Sequence, residues 1–548
     1  MRNATANVFR VTLAASLSIC ALLYFLWSWR WPLLGDASLI HYIGWLIERG
    51  WAPYREIGDM NMPGSYLIEL AAMHLFGMGD VAWRLFDFTL MGAASASFFV
   101  ITLSTNSVRR DGWLAGLYAA CLFILVHGRD GLAEGGQRDL TMAVCLIVAT
   151  AFLFVAIRRD WPWAAAAFGL FSGAALTIKP TAILLSLAQL LLAADLLRRS
   201  LNARQPGHAV RSVFARLVAP ATLAWLVAPT ISLGFLLKEQ ALAAFLAGFH
   251  GIVPYYASLG HRPLSFILLH SLSPLMLPVL LWIAILALDG MRFRPSRNGE
   301  AEWTRAWERT ALLAGVLFGL INCVVQARAL PYYRYPLLIF LLPLMAVDFT
   351  RAAQTQLSDL WRTTAHIRRI KAAQWLALAA LAFGGFFLAP QSAVLIHRYR
   401  WWETDFISSL EQNLEALGGQ RLSGRIQCID SISGCGNVLY RMRLEPSTGV
   451  LSDFLLFGPD DVPIIRQTRQ QFSVAVLANP PQVIVVTSHL HMDGPDNYHK
   501  LDLWPAFQSF LAGDYTLQTE WSPTRTARWW SREETPASYR IYVLRTQR

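Results

Sequence analysis

Apolar residues recur in long runs over the first 395 positions, and no comparable run follows. Eleven of these runs approach the roughly 20 residues that a helix needs to cross a bilayer. They lie near 11–31, 85–104, 112–126, 140–157, 161–178, 181–197, 217–237, 265–288, 311–327, 335–350 and 372–395. Only Lys179-Pro180 separates the fifth from the sixth, so that pair also reads as one kinked element. Between the first two runs, Leu39, Ile40, Ile43, Leu46 and Ile47 recur at helical spacing within 36–50, and 65–76 shows a similar pattern. Both stretches predict amphipathic helices lying in the membrane interface.

Beyond His397 the pattern changes. Phe406, Ile407, Leu410, Leu414 and Leu417 mark one face of a helix over 404–418. Segments 425–430, 482–487 and 540–545 predict short strands, and 460–477 and 504–511 predict helices. The expected architecture is an α-helical polytopic membrane protein of about eleven transmembrane helices (1–395) followed by a small α/β domain (396–548).

Composition agrees with the pattern. Of 548 residues, 55% are hydrophobic and 15% charged; an ordinary soluble protein has about 25% charged residues. That balance excludes a disordered chain, a disulfide scaffold and an ordinary cytosolic enzyme. The net charge of +11 is explained by sidedness rather than by a nucleic-acid partner. With the N-terminus in the cytoplasm, the inner segments hold 21 Lys and Arg and the outer ones 10. An odd number of spans then places the tail outside. Trp27, Trp29 and Trp31 crowd the outer end of the first run and no Ala-x-Ala site closes it, so it reads as a retained span. Cys20, Cys121, Cys145 and Cys323 fall in or near spans, whereas Cys428 and Cys435 lie in the tail. Their C-x6-C spacing leaves a disulfide and chance equally open.

The acids of the outer face gather in two loops. The first, 32–84, contains Asp36 and the turn-rich segment Tyr54-Arg-Glu-Ile-Gly-Asp-Met-Asn-Met-Pro63. The second, His127–Asp139, is glycine-rich and contains Glu134, Arg138 and Asp139. Lys179, Arg328 and Arg334 lie at outer span ends, the depth of a lipid phosphate.

Gly35-Asp36, Tyr42, Gly50-x-x-Pro53-Tyr54, Asp59-x-Asn61-x-Pro63, Tyr66, Phe76-Gly77 and Arg84, in that order after a first span, resemble the first outer loop of GT-C glycosyltransferases. The similarity is to the bacterial branch related to protein mannosyltransferases and the lipid A aminoarabinose transferase. Gly173–Thr181 and Pro331-Tyr-Tyr-Arg-Tyr-Pro336 extend it more weakly. The resemblance implies transfer of a sugar from a polyprenyl-phosphate carrier to a glycan, lipid or protein acceptor, with membrane lipids as surroundings. It implies Asp36 as general base on the acceptor hydroxyl, with Asp59 assisting or ligating a divalent cation. A sugar hydroxyl is a poor nucleophile and needs such a carboxylate within hydrogen-bond reach. The departing lipid phosphate needs positive charge, which Arg334, Lys179 and Arg328 supply. One base and one displacement imply inversion. Asp139, Glu134, Arg138, Tyr54 and Asn61 are the expected cavity-lining residues.

The sequence departs from that family in having Asp36-Ala37 in place of two adjacent acids, and Asn61-Met62-Pro63 in place of Lys-Pro-Pro. The first leaves the base to Asp36 alone, and the second weakens the analogy in donor choice. No cofactor is certain, and a divalent cation at Asp59 is the one left open. Plainer roles stand beside these. Asp36 and Asp139 are candidate helix caps, Asp59 a candidate Asx-turn, and Lys179 and Arg334 candidate snorkelling residues. Asp87, inside the second run, is placed to pair with Arg84 at i, i+3. A transporter or lipid-linked sugar flippase, a polysaccharide ligase or polymerase, and a catalytically silent envelope partner are the competing functions. The Lys179-Pro180 break is the one feature favouring transport, and no internal repeat supports it.

Overall fold

A computed structural model describes residues 2–29, 31–33, 35–105, 109–130, 135–204, 209–289, 300–354, 364–386, 388–431, 433–490, 494–495, 497–523 and 537–545. The helices, in chain order, are α1 (Arg2–Ser28), α2 (Gly35–Glu48), α3 (Pro63–Phe76), α4 (Asp80–Thr105), α5 (Arg109–Asp130), α6 (Arg138–Arg159) and α7 (Pro162–Ile178). Then come α8 (Ala182–Arg204), α9 (Ala209–Val213), α10 (Ala219–Trp225), α11 (Val227–Lys238), α12 (Leu242–Ser258), α13 (Leu264–Leu272) and α14 (Met276–Asp289). The last are α15 (Glu300–Gln326), α16 (Tyr335–Gln354), α17 (Thr364–Phe386), α18 (Leu388–Leu417), α19 (Cys435–Met442), α20 (Pro463–Ala478) and α21 (Pro505–Asp514).

Among the described residues, helices cover most of each of the eleven apolar runs. Among the described residues seven helical segments are long and apolar enough to cross a membrane, and α13 with α14, bent by 87°, adds an eighth span if counted as one. The remaining three runs differ for identifiable reasons. Pro162–Ile178 and Ala372–Phe383 are shorter apolar helices, and α8 carries Asp195, Arg198 and Arg199 towards its C-terminal end. The fifth and sixth runs are separate helices. Lys179 is extended at ψ 122°, the conformation that a following proline imposes, and it ends α7 there.

The chain divides into two compact units. Unit 1 comprises Met1–Arg30, Arg84–Ile231 and Arg262–Ile396; unit 2 comprises Trp31–Trp83, Ser232–His261 and His397–Arg548. Unit 1 is held by close helix approaches at glycines spaced i, i+4. A Cβ on Gly169 or Gly173 of α7 would collide with the backbone of Ala221 or Trp225, which belong to α10. Gly315 and Gly319 of α15 meet Phe340 and Leu337 of α16 in the same way, and Gly112 and Gly116 let α5 lie against α4. Small residues at this spacing let backbones pack where lipid provides no hydrophobic drive between helices.

In unit 2 the tail forms a four-stranded sheet. Its strands belong to the series β1 (Ile426–Ile429), β2 (Val483–Thr487), β3 (His489–Leu490), β4 (Gly494–Pro495), β5 (Tyr515–Trp521) and β6 (Tyr539–Leu544), and the sheet order is β1-β2-β6-β5. β1 and β2 are parallel and the other two pairings antiparallel. The parallel pair requires a crossover, and α19 and α20 lie within it. Phe457, Phe472, Trp504 and Phe507 pack with Ile484 and Val486 of β2 to form the core beneath α20 and α21. Of the expected amphipathic face of 404–418, Phe406, Ile407, Leu410 and Leu414 are buried. A disulfide joins Cys428 to Cys435, Cα atoms 6.0 Å apart.

Candidate functional site

The acids of the first outer loop lie in unit 2. α2 begins at Gly35, so Asp36 sits inside its first turn rather than at the cap, where the helix dipole favours a carboxylate. That carboxylate is half-buried and makes no hydrogen bond or ion pair among the described residues. The helix presenting it is fixed from two sides. The Tyr42 hydroxyl donates to the Leu444 carbonyl at 2.8 Å, and His41 meets Glu69 of α3 at 2.8 Å, both side chains buried. Burial, and then the nearby Glu445 carboxylate, push the Tyr42 hydroxyl well above its usual range, so it stays a donor.

Asp59, Tyr54 and Asn61 come together in one cluster. Asp59 accepts the Asn61 N–H at 3.1 Å, an Asx-turn, and also accepts the Tyr66 hydroxyl. Tyr54, in the left-handed region at φ 63°, donates its hydroxyl to the Asn61 carbonyl at 2.6 Å. Its ring lies edge-on to those of Tyr66 and Phe245. Burial and the Asp59 charge push the Tyr54 hydroxyl well above its ordinary value, which keeps it protonated. The tail braces this loop. The Gly58 N–H donates to the Gly449 carbonyl at 3.2 Å, and Gly449 lies so close to Glu56 that any Cβ there would collide.

The basic candidates belong to unit 1. The Lys179 ammonium meets both Asp139 carboxylate oxygens, at 2.6 and 2.7 Å, and Gln326 Oε1 at 2.7 Å. It also lies 5.1 Å from the centre of the Tyr333 ring. Asp139 stands in the first turn of α6, whose cap position is Gln137, so its carboxylate makes an ion pair rather than a cap. Arg138, the first residue of α6, is half-buried beside it in sequence. Arg334, in a 3-10 turn over Pro331–Arg334, pairs with Asp130 and also donates to the Ser273 and His270 carbonyls. Lys179 and Arg334 are thus held by carboxylates rather than merely reaching for the interface. Arg328 is buried, and Ala327 and Ala329 on either side of it adopt left-handed conformations at φ 55° and 58°. Glu134 lies outside the described residues. Among the described residues no three His, Cys, Asp or Glu side chains converge as a metal site would require.

Asp87 pairs with Arg84 as its spacing predicts, and the pair belongs to a wider buried network. Asp87 also meets His127 at 3.2 Å and the Gly136 N–H at 3.2 Å. Arg84 donates to Tyr24 and Ser28, and His127 meets the Tyr335 hydroxyl at 2.6 Å. α5 runs on to Asp130, so the start of the expected second loop is helical and His127 is part of this network. His41 and Glu69 escape the sequence reading because each is a single polar residue in an apolar stretch, and His127 reads there only as the first residue of the second loop. The signal available was the cost of burying such a group without a partner.

No family model matches the sequence and no curated relative does. Solved structures do. ArnT from Cupriavidus metallidurans in the apo state matches with a TM-score of 0.55 at 14% identity, over 98% of each chain. The Archaeoglobus fulgidus oligosaccharyltransferase tethered with an acceptor peptide matches with a TM-score of 0.51 at 14% identity, over 95% of this chain and 74% of that one. AglB from the same organism, in complex with an inhibitory peptide and a dolichol-phosphate, matches with a TM-score of 0.51 at 12% identity. At these identities the likeness concerns the fold. This multi-pass membrane chain has the fold of the GT-C glycosyltransferases.

Proposed function

We propose that this chain is a glycosyltransferase that moves a sugar from a polyprenyl-phosphate carrier to an envelope glycan, lipid or protein acceptor on the outer side of the membrane. Asp36 is the general base and the transfer inverts the anomeric centre. The observation that carries the reading is the Asp36 carboxylate, half-buried on a helix fixed at Tyr42 and His41, with no partner among the described residues. A carboxylate without a partner is free to take an acceptor proton, whereas Asp59 is engaged by Asn61 and Tyr66 and so holds the neighbouring loop in shape. AglB, which shares the fold, was solved with a dolichol-phosphate, and that lends support to a lipid-phosphate donor.

For the donor phosphate, Arg328 is the strongest candidate. Its two left-handed neighbours store backbone strain of the kind that accumulates at functional sites. Lys179 and Arg334 contribute positive charge that Asp139 and Asp130 already balance, so a phosphate would share them or displace those carboxylates.

Purified Asp36→Asn tests the base. It should insert and fold as the parent does and lose about 10²- to 10⁴-fold in transfer rate from a synthetic polyprenyl-phosphate sugar, the span of general base catalysis. Transfer at the parent rate removes the assignment.

A further inference from the structure

Just ahead of α2, the segment Trp31-Pro32-Leu33 is neither helix nor strand, and all three residues are buried. Buried backbone without regular structure must find partners for its N–H and C=O groups elsewhere. Pro32 has no N–H to satisfy. Leu33 has both groups, and two side chains distant in sequence take them. Its N–H donates to Asp80 Oδ1 at 3.0 Å, and its carbonyl accepts from Asn437 Nδ2. Gly35 then takes the left-handed φ of 60° that turns the chain into the helix carrying Asp36.

The two holding residues are themselves tied down, and every partner belongs to unit 2. The second Asp80 oxygen accepts from Arg441 Nη1 at 3.0 Å, and Arg441 also donates to Glu411 of α18. The Gly79 N–H donates to the Tyr440 hydroxyl at 3.1 Å. Asn437, Tyr440 and Arg441 stand at i, i+3 and i+4, so one face of α19 makes all of these contacts. The start of α19 is fixed in turn. The Cys428–Cys435 disulfide joins it to β1, and Asp430 accepts the N–H groups of Ser433, Gly434 and Cys435. Just beyond its end, the Leu444 carbonyl accepts the Tyr42 hydroxyl at 2.8 Å. The tail thus holds the chain at Leu33 and again at Tyr42, and Asp36 lies between the two.

A carboxylate acting as base must stand within hydrogen-bond reach of the proton it takes. A misplacement of about 1 Å costs up to about 10²-fold in rate. We propose that Asn437, with Asp80 opposite it, is a positioning residue for Asp36: the two side chains hold Leu33 and so set where the first turn of α2 presents its carboxylate. The tail then serves the chemistry through α19 without touching substrate. This role rests on the function proposed above, in which Asp36 is the base; the hold on Leu33 does not.

Two variants of the full chain in detergent test it. Asn437→Leu keeps the branched shape and removes the donor. Asp80→Ala removes the acceptor, and because the Asp80 side chain is 33% exposed it should fold even where the first variant does not. An intact Cys428–Cys435 disulfide and a cooperative unfolding transition check folding. In Asp80→Ala the Leu33 N–H should exchange with solvent at least about tenfold faster, the worth of one hydrogen bond. With the synthetic polyprenyl-phosphate sugar of the Asp36→Asn assay, kcat should fall about 10- to 10²-fold in each variant, with the donor and acceptor KM unchanged. On an Asp36→Asn background, Asn437→Leu should cost less than about twofold more, since residues that act as a unit are not additive. A merely structural role would cost the same on both backgrounds. That outcome, unchanged exchange at Leu33, or the parent kcat in the folded variants overturns the positioning role and leaves Asp36 as base. Asp36→Asn transferring at the parent rate removes the base instead, and this role with it.

Discussion

At the residue scale, the basic candidates differ in what burying them costs. Lys179 and Asp139 are a pair in which the acid is nearly buried and the base mostly so. Removing one member of such a pair is worse than removing both, because the survivor stays desolvated. Asp139→Asn should therefore lower stability by up to about 3 kcal/mol, and Asp139→Asn with Lys179→Met should recover much of the loss; thermal unfolding in detergent compares them. Arg328 poses a different case, since the cost lies in its neighbours. Left-handed backbone costs a non-glycine residue roughly 1–2 kcal/mol. Ala329→Gly should raise stability by about 1 kcal/mol in the same unfolding assay. If the strain positions Arg328 for a phosphate, that variant should also raise KM for the polyprenyl-phosphate sugar while leaving the acceptor KM unchanged.

At the element scale, the spans and the helices α2 and α3 were legible as helices because both are written in one dimension, although α2 is buried on nearly every side rather than along one apolar face. An apolar run is long or short, and Leu39, Ile43 and Leu46 mark a face without reference to anything distant. What escaped depends on other parts of the chain. β5 is an edge strand whose residues are largely exposed, so it lacks the apolar signature of β2. α19 starts where Asp430, five residues before Cys435, gathers three N–H groups, an arrangement that no local cap pattern encodes. α12, apolar but only 17 residues long with Pro254 inside it, falls below spanning length. The site shows the same division. Asp36 could be named as a candidate from its place after the first span, whereas His41–Glu69 and Lys179–Asp139 join separate helices. The glycine pairs were readable in principle, being i, i+4 repeats in apolar runs. Gly173→Leu should force α7 from the Trp225 backbone and cost about 1–3 kcal/mol, more than the same substitution at Gly234, where a Cβ meets nothing within 4 Å.

At the scale of the whole molecule, the second unit is discontinuous in sequence. Trp31–Trp83 and Ser232–His261 share it with the tail from His397 onward, so two segments between apolar runs fold with a domain that the sequence pattern sets apart. Tyr42 with Leu444, Gly58 with Gly449, and Ile252 with Phe454 and Leu455 bind the three pieces together. We propose that all three lie on one side of the membrane, the outer side that the distribution of Lys and Arg favours. The cysteines make that testable. A Cys428–Cys435 bond persists only in an oxidising compartment, while Cys20, Cys121, Cys145 and Cys323 remain thiols. Mass-tagging of the denatured, unreduced protein should therefore modify four cysteines, and six after reduction. A tail facing the cytoplasm would give six in both cases. Closing so short a loop, with the two cysteines seven positions apart, is worth about 2–3 kcal/mol by chain entropy. Cys428→Ser with Cys435→Ser should lower tail stability by that amount.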